Sequence, residues 1–277
     1  MGIVLGLAAA LLYGGGDFAG GLLSRRRGVL AVSLVGSVVS TAVVWVAMVI
    51  NWTSVPGWQS LVWGIVAGLA GGAGELWLYR GLVRGRISVV GPLSAVGAAI
   101  VPILLSMVTG GPLPGFLPAA GIVLGIPAIA LVASSADDVP AKVSGVSDGL
   151  LAGAAFGLLF FGLSRAGGHA GLWPVAGEQT GSLALLAAAA LVSRQPIVSA
   201  MRHSVGPALV GLAGMAATLL YYFATRSGEL AGVVVVTSLY PGVTVILARF
   251  ITAERFSRAQ RAGLALSALT IVAIALN

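Results

Sequence analysis

The chain has 277 residues, of which 58% are hydrophobic and only 8% are charged, and its mean hydropathy is +1.05. A water-soluble domain carries about 25% charged residues, because its surface must be solvated. The composition therefore excludes a soluble protein of this size. The net charge of +7 does not indicate nucleic-acid binding, since the basic residues occur singly or in threes and form no continuous basic face.

Apolar segments close to the length of a membrane span recur along the whole chain. Hydropathy predicts ten transmembrane helices, at residues 3–23, 30–50, 60–82, 87–108, 115–134, 146–165, 173–193, 206–225, 230–252 and 259–276. The first begins MGIVLGLAAALLYGGGDF and lacks a basic n-region, so we expect a membrane helix there and not a cleaved signal. The absence of cysteine excludes disulfides, thiolate metal sites and thiol catalysis.

The ten predicted helices divide into two similar halves, residues 1–135 and 145–277. The polar segment between them, SADDVPAKVSG, contains the only lysine, Lys142. At an offset of 143 residues, GRISVVGPLSAVGAAIVPILLS aligns with GELAGVVVVTSLYPGVTVILAR, and Tyr79 aligns with Tyr222. Because each half has five helices, the second half should enter the membrane from the opposite side, as an inverted repeat.

The distribution of basic residues supports this topology. Most of them lie in or beside the loops that follow odd-numbered helices: Arg25, Arg26, Arg27, Arg84, Arg86, Lys142, Arg194, Arg202, Arg255, Arg258 and Arg261. The other loops offer little beyond Arg165 and Arg226. Since basic loops stay in the cytoplasm, the pattern predicts cytoplasmic odd-numbered loops and two periplasmic termini in a bacterial inner membrane.

The run LYPGVTVILARFITAERFSRAQRAGLALSALTIVAIAL resembles the second repeat of the EamA family, within the drug/metabolite transporter superfamily. The repeat has a mid-helix Tyr-Pro, an apolar run, Glu-Arg and a closing Gly-rich helix. The first half is similar but has Gly111-Pro112 in place of Glu-Arg. The resemblance implies two inverted five-helix repeats around a central cavity, alternating access and, by similarity to bacterial exporters of aromatic amino acids, amino acid export.

Tyr240-Pro241-Gly242 interrupts the ninth predicted span. Proline removes one backbone donor and clashes with the preceding turn, so the helix should kink or loosen at Pro241. In lipid the freed carbonyl needs a partner inside the bundle. The break could present carbonyl groups to a substrate, or it could be a static kink. Glu254, beyond the end of this span, should pair with Arg255 or Arg258.

Glycines recur at intervals of four residues in the third and sixth spans, which allows close helix packing: Gly64, Gly68 and Gly72, then Gly149, Gly153 and Gly157. Glu75 and Tyr79 continue the side of the third span that holds Gly68 and Gly72. The repeat places Thr218 and Tyr222 on the equivalent side of the eighth span. We predict that Tyr79 and Tyr222 form the cavity wall; the alternative is an interfacial aromatic belt.

Three acids, Asp17, Glu75 and Glu178, fall inside predicted spans, where ionisable residues are expensive and commonly functional. Asp17 and Glu75, at similar depth, could bind a substrate amine or share a proton, or each could pair with an arginine such as Arg80. Tyr13, one turn before Asp17, could join them. Glu178 appears near the opposite face and could be interfacial, whereas Asp148, at the edge of the sixth span, should be wet.

We predict a transporter that exports small metabolites, foremost aromatic or other neutral amino acids. The alternative is efflux of cationic or lipophilic toxic compounds. No metalloprotease helix, paired-Asp metal motif or P-loop occurs, so the sequence predicts neither an enzyme nor a cofactor or metal site. The expected partners are the small-molecule substrate, the lipid bilayer and protons as a candidate coupling ion.

Overall fold

The computed structural model describes residues 1–50, 58–134, 145–166, 170–194, 204–225, 233, 236–237, 239–254 and 256–276. The described residues form ten α-helices and no strand. In chain order they are α1 (Gly2–Arg27), α2 (Val29–Ile50), α3 (Trp58–Arg84), α4 (Ile87–Val108), α5 (Phe116–Ser134), α6 (Val146–Arg165), α7 (Trp173–Val192), α8 (Val205–Thr225), α9 (Tyr240–Ile251) and α10 (Arg258–Ala275).

Eight of these helices, α1 to α8, are long and apolar enough to cross a membrane. The chain is therefore a multi-pass membrane protein. Among the described residues, α9 is apolar but only 12 residues long, and much of the predicted span at 230–252 lies outside the description. The short α10 contains Arg258 and Arg261 in its first turns, which lowers its hydropathy. Ten spans thus remain a prediction.

Two helices have the limits that hydropathy predicts. Helix α4 and helix α6 begin and end at the predicted residues. Helices α1 and α3 run four and two residues further than predicted, to Arg27 and Arg84. The low hydropathy of arginine ends a predicted span. An arginine in the last turn nevertheless continues the helix into the interface, where its charge interacts favourably with the negative end of the helix dipole.

The most extensive helix contacts join the two halves. Helix α3 packs against α6 and α7, and α8 packs against α1 and α2. Helix α4 packs against α6, α9 packs against α1, and α5 packs against α10. Equivalent helices of the two halves differ by five in number, and these contacts correspond under that shift. The contact α3–α6 corresponds to α8–α1, α3–α7 to α8–α2, and α4–α6 to α9–α1, while α5–α10 corresponds to itself.

The glycine ladders lie in these contacts, which confirms their packing role. A Cβ atom at Gly68 would overlap the carbonyl oxygen of Glu178 on α7, and one at Gly72 would press on Ser182. Gly153 on α6 lies against Gly97 on α4 in the same way. Without a hydrophobic driving force in lipid, close backbone approach supplies the dispersion contacts that hold such helices together.

One end of the bundle carries polar contacts between the halves, and we call it the polar end. Arg80 on α3 donates to Asp148 on α6 through Nε (2.8 Å) and Nη2 (2.6 Å). Asp148 is 5% exposed, so the expectation of a wet residue was wrong: α6 packs against α3 and covers it.

Glu254 contributes to the polar end by binding the start of α4. Its carboxylate accepts hydrogen bonds from the backbone N–H groups of Ile87 (3.0 Å) and Ser88 (3.1 Å). An anion is stable there because the first N–H groups of a helix lack partners within it. No ion pair with Arg258 occurs among the described residues, and the expected alternative, Arg255, lies outside them. Buried Gln260 on α10 also reaches this point, donating to Ser88 Oγ at 2.6 Å.

The opposite end, which we call the aromatic end, joins the halves through rings. Trp45 on α2 meets Trp173 on α7 edge to face, with ring centroids 6.1 Å apart. Trp63 on α3 meets Phe161 on α6 in the same geometry at 6.3 Å. The Trp45 indole N–H donates to Thr180 Oγ1 at 3.2 Å. Tryptophan suits this position because its apolar ring and polar N–H match the boundary of a bilayer.

Candidate functional site

The first helix supplies two polar side chains that lie next to a small cavity. Tyr13 and Asp17 lie one turn apart on α1, and both remain partly accessible inside the bundle. A Cβ atom at Gly15 or Gly16, between them, would meet no other atom within 4 Å. A small cavity, described below, lies next to Asp17, and we call this space the crevice.

The first turn of α9 faces Tyr13 across this crevice. The Tyr13 and Tyr240 rings lie 5.8 Å apart at an interplanar angle of 55°. Helix α9 begins at Tyr240 with Pro241 in its first turn, where a missing N–H removes no helical hydrogen bond. Thr244 Oγ1 donates to the Gly14 carbonyl at 3.0 Å. The structure therefore places a helix N-terminus, at the predicted break, beside Asp17.

Thr218 on α8 orients the Tyr13 hydroxyl. The two side-chain oxygens are 2.8 Å apart, and Thr218 Oγ1 also lies 3.1 Å from the Gly214 carbonyl oxygen. A threonine hydroxyl has one hydrogen, and the carbonyl can only accept, so Tyr13 donates to Thr218. This arrangement leaves the Tyr13 oxygen able to accept a hydrogen bond from a donor in the crevice.

Helix α3 contributes Glu75 and Tyr79. Tyr79 is 4% exposed, and its ring and hydroxyl lie directly on Gly20 of α1, where a Cβ would leave no room for them. Glu75 faces Ser33 of α2 and lies within electrostatic range of Asp17, Glu178 and Tyr79. Helix α3 thus brings a carboxylate to the same region as Asp17.

Glu178 lies inside the bundle, contrary to its expected position near one face. Its Oε1 points at Gly71 of α3, where a Cβ would be 3.1 Å away, and Gly71 lies at the middle of Trp58–Arg84. The near-face position was wrong because α7 is offset along α3: Gly64 packs against Pro174, and Gly68 packs against Glu178. The third acid therefore joins the other two.

We call these six residues the acid–tyrosine cluster: Tyr13, Asp17, Glu75, Tyr79, Glu178 and Tyr240. Among the described residues no ion pair engages its three acids, since Arg80 binds Asp148 instead. No group of three or more His, Cys, Asp or Glu residues in the described part of the chain is arranged to hold a metal ion. Unpaired acids at membrane depth are expensive, which makes them functional candidates.

The space beside Asp17 is small. A cavity with room for about one water molecule lies among helices α1, α3, α4 and α9. Its lining residues are Asp17, Leu78, Leu82, Gly91, Ser94, Tyr240, Pro241 and Thr244. A Cβ at Gly91 would also meet open space. The helices are therefore closed around the cluster, and a larger solute would need them to separate.

Tyr222 lies apart from the acid–tyrosine cluster. It packs against Phe223 and with Val44, Met48, Leu172 and Met215 at the aromatic end, whereas Tyr79 packs near the polar end. The structure does not bring the predicted pair to one wall. The neighbouring Tyr221 lies within electrostatic range of Tyr13. Tyr221 and Tyr222 lie three and four residues after Thr218, and either spacing places a residue on the same helical face as Thr218. Periodicity alone therefore could not decide which of the two tyrosines lies with Thr218.

Comparison with known proteins identifies the fold and not the family. No family model matches the chain, and no curated protein matches it. Solved structures do resemble it, and 14 chains match. One, described only as "Crystal structure of protein", is 20% identical and has a TM-score of 0.57; the match covers 99% of this chain and 94% of that one. The same helical arrangement thus occurs in a solved protein of similar length.

Proposed function

We propose that the chain is a member of the drug/metabolite transporter superfamily that exports small amine-bearing metabolites, foremost amino acids, by alternating access. One observation carries this proposal: inside a membrane-spanning bundle, four helices bring together three acids and three tyrosines, and no cation among the described residues pairs with the acids. Such a site offers noncovalent binding, and the proposal includes neither catalysis nor a cofactor.

The exchange of helix contacts between the halves supports two inverted repeats. Gly68 of α3 and Gly211 of α8 are 143 residues apart, the offset at which the two halves align. Gly68 presses on the Glu178 backbone of α7, and Gly211 presses on the Gly36 backbone of α2. The third helix of each half therefore packs tightly on the second helix of the other half, which is the correspondence expected of inverted repeats.

The cluster offers each part of an amino acid a suitable contact. Asp17 and Glu75 provide carboxylates for an ammonium group, and the Tyr13 and Tyr240 rings provide an apolar surface for a side chain. Pro241, in the first turn of α9, has no N–H group to donate, so a backbone carbonyl of the preceding turn could contact the substrate, as carbonyls of broken helices do in transporters. Rocking of the halves would open the closed crevice.

The excess of acids favours a second candidate, efflux of cationic or lipophilic toxic compounds. A zwitterion brings one positive charge, whereas Asp17, Glu75 and Glu178 would supply three negative charges if all were ionised. Like charges disfavour full ionisation, so protons would occupy part of this site before a cation enters. Protons therefore remain our proposed coupling ion for either substrate class.

We assign the polar end to the cytoplasm of a bacterial inner membrane. Helices α1 and α3 end there with Arg25, Arg26, Arg27 and Arg84. Basic residues at cytoplasmic ends follow the positive-inside rule. Both termini would then face the periplasm. Attachment of an alkaline phosphatase to the C-terminus should give an active reporter, while a cytoplasm-only reporter should stay inactive there.

The direct test is counterflow into proteoliposomes of purified protein, using labelled amino acids and, in parallel, labelled organic cations. Asp17→Asn and Tyr13→Phe alter the cluster with little change of volume. We expect Asp17→Asn to reduce counterflow at least tenfold, because one lost charge-assisted contact weakens binding by about that factor. Tyr222→Phe serves as the matched control, since Tyr222 lies outside the cluster.

The outcomes separate the candidates. Saturable exchange of neutral or aromatic amino acids, lost in Asp17→Asn and kept in Tyr222→Phe, would support amino acid export through the cluster. Exchange of cations alone would establish the second candidate. Equal loss of counterflow in Tyr222→Phe and Asp17→Asn would extend the site to Tyr222, which the sequence analysis placed in the cavity wall. No exchange of either class would contradict the proposed function.

A further inference from the structure

A groove at the aromatic end contains a cationic side chain, Arg165, that the proposed transport does not use. It is formed by the first turns of α3 and the last turn of α6 and is lined by Trp58, Gln59, Val62, Trp63, Ser164 and Arg165. Since both helices are long and apolar enough to span a membrane, their ends define the level of the lipid headgroups. The groove therefore lies where headgroups are found.

The guanidinium of Arg165 lies over an aromatic ring, and no acid among the described residues pairs with it. Its guanidinium carbon lies 5.5 Å from the centre of the Phe161 ring, and Trp63 packs edge-on against the same ring. Across the described residues, no ion pair or hydrogen bond engages the guanidinium. A cation–π contact uses the flat face of arginine, so its N–H edge remains available to an oxygen ligand.

The other polar groups in the groove carry no negative charge. Gln59 contributes an amide with two N–H donors, whereas the single hydrogen of Ser164 Oγ is already donated to the Phe161 carbonyl at 2.7 Å. Trp58 is 71% exposed and forms one rim. One cation and one amide between tryptophan rings match a phosphodiester whose acyl chains run down the outside of the helices.

We propose that this groove binds the headgroup of an anionic phospholipid, with Arg165 bound to its phosphate. An anionic lipid is favoured over a zwitterionic one, because none of the described residues that line the groove has a carboxylate to bind a choline or ethanolamine group. Arg165 is also one of the few basic residues outside the cytoplasmic pattern of the sequence, so topology alone does not account for it.

Native mass spectrometry of the full chain tests this proposal. Purified protein would be mixed with equal amounts of phosphatidylglycerol and phosphatidylcholine in detergent, and the retained lipids counted. We expect preferential retention of one phosphatidylglycerol, and about tenfold weaker retention in Arg165→Gln, the scale of one charge-assisted hydrogen-bonded contact. Arg165→Lys, which keeps the charge, should retain an intermediate amount. Arg194→Gln, at an exposed arginine just beyond α7, is the matched control and should behave as the parent protein.

Three results would overturn the proposal. Arg165→Gln could retain phosphatidylglycerol as the parent protein does, or phosphatidylcholine could be retained equally well. Displacement of the lipid by inorganic phosphate at a comparable concentration would identify a free-anion site instead. Because lipid retention is measured without transport, failure here leaves the proposed export unaffected, and loss of export leaves this test intact.

Discussion

The two ends of the bundle join the same two halves by different chemistry. At the polar end, Arg80 binds Asp148, and Glu254 binds the first N–H groups of α4. At the aromatic end, Trp45 meets Trp173 and Trp63 meets Phe161 through their ring edges. Both sets cross from one half to the other. The helix contacts correspond between the two halves, while the groups that hold the two ends together do not.

The difference predicts how each end responds to separation. Charge-assisted hydrogen bonds need short distances and good alignment, and a buried carboxylate without its partner is costly. Edge-to-face rings attract weakly over centroid separations of about 4.5–7 Å and so tolerate sliding. We expect the polar end to open in one step and the aromatic end to open gradually, which substitutions at each end can test.

The largest expected effect comes from Arg80→Gln at the polar end. It leaves the Asp148 side chain, which is 8% exposed, without its cation, while Arg80 itself is 41% exposed and can reach water. We expect Arg80→Gln to lower the free energy of unfolding by about 3 kcal/mol, the scale for breaking a buried pair. Asp148→Asn should cost only about 1 kcal/mol, since the remaining arginine is solvated.

Thermal unfolding in detergent, followed by intrinsic tryptophan fluorescence, would measure both variants. The double variant Arg80→Gln with Asp148→Asn is the control, because it removes the unpaired charge and should recover much of the stability lost in Arg80→Gln. Equal losses in the two single variants would show that Asp148 is not held in a poorly solvated position, and the two ends would then differ less than the contacts indicate.

A smaller effect is expected from Glu254→Ala. It removes the acceptor for the N–H groups of Ile87 and Ser88, and helix-capping groups contribute about 1 kcal/mol. Glu254→Gln keeps one carbonyl oxygen and should cost about half as much. Hydrogen exchange at the start of α4 would locate the change, because the freed amides should exchange faster. Unchanged exchange at Ile87 and Ser88 in Glu254→Ala would contradict the capping role.

These contacts also show where sequence analysis stopped. The span positions were predictable because the hydrocarbon core requires a long, mostly apolar segment, and α4 and α6 begin and end at the predicted residues. The glycine ladder at Gly68 and Gly72 was predictable because its spacing repeats on one helical face. Both signals are local, and neither depends on which helix lies opposite.

The polar partners were not predictable, because they depend on the three-dimensional arrangement of distant segments. Asp148 pairs with Arg80, which is 68 residues earlier, and Glu254 binds residues more than 160 positions away. The acid–tyrosine cluster was found only in part for the same reason. Hydropathy gives depth along one helix, but the offset of α7 against α3 decides that Glu178 lies beside Gly71.

The smallest expected effect lies at the aromatic end, in the bond from the Trp45 indole to Thr180. Trp45 is 42% exposed, and its indole nitrogen lies 3.2 Å from Thr180 Oγ1. Thr180 Oγ1 also donates to the Ala176 carbonyl at 2.7 Å, so it keeps a partner when Trp45 changes. Trp45→Phe retains a ring against Trp173, and Thr180→Val retains the side-chain shape.

We expect each variant to lower the free energy of unfolding by about 0.5 kcal/mol or less, because an exposed donor at the membrane boundary finds water or a headgroup instead. Recovery of monodisperse protein after heating, measured by size-exclusion chromatography, avoids reliance on tryptophan signal. A loss near that of Arg80→Gln would mean that the aromatic end is held by this directional bond, and the contrast between a polar end that opens in one step and an aromatic end that slides would fail.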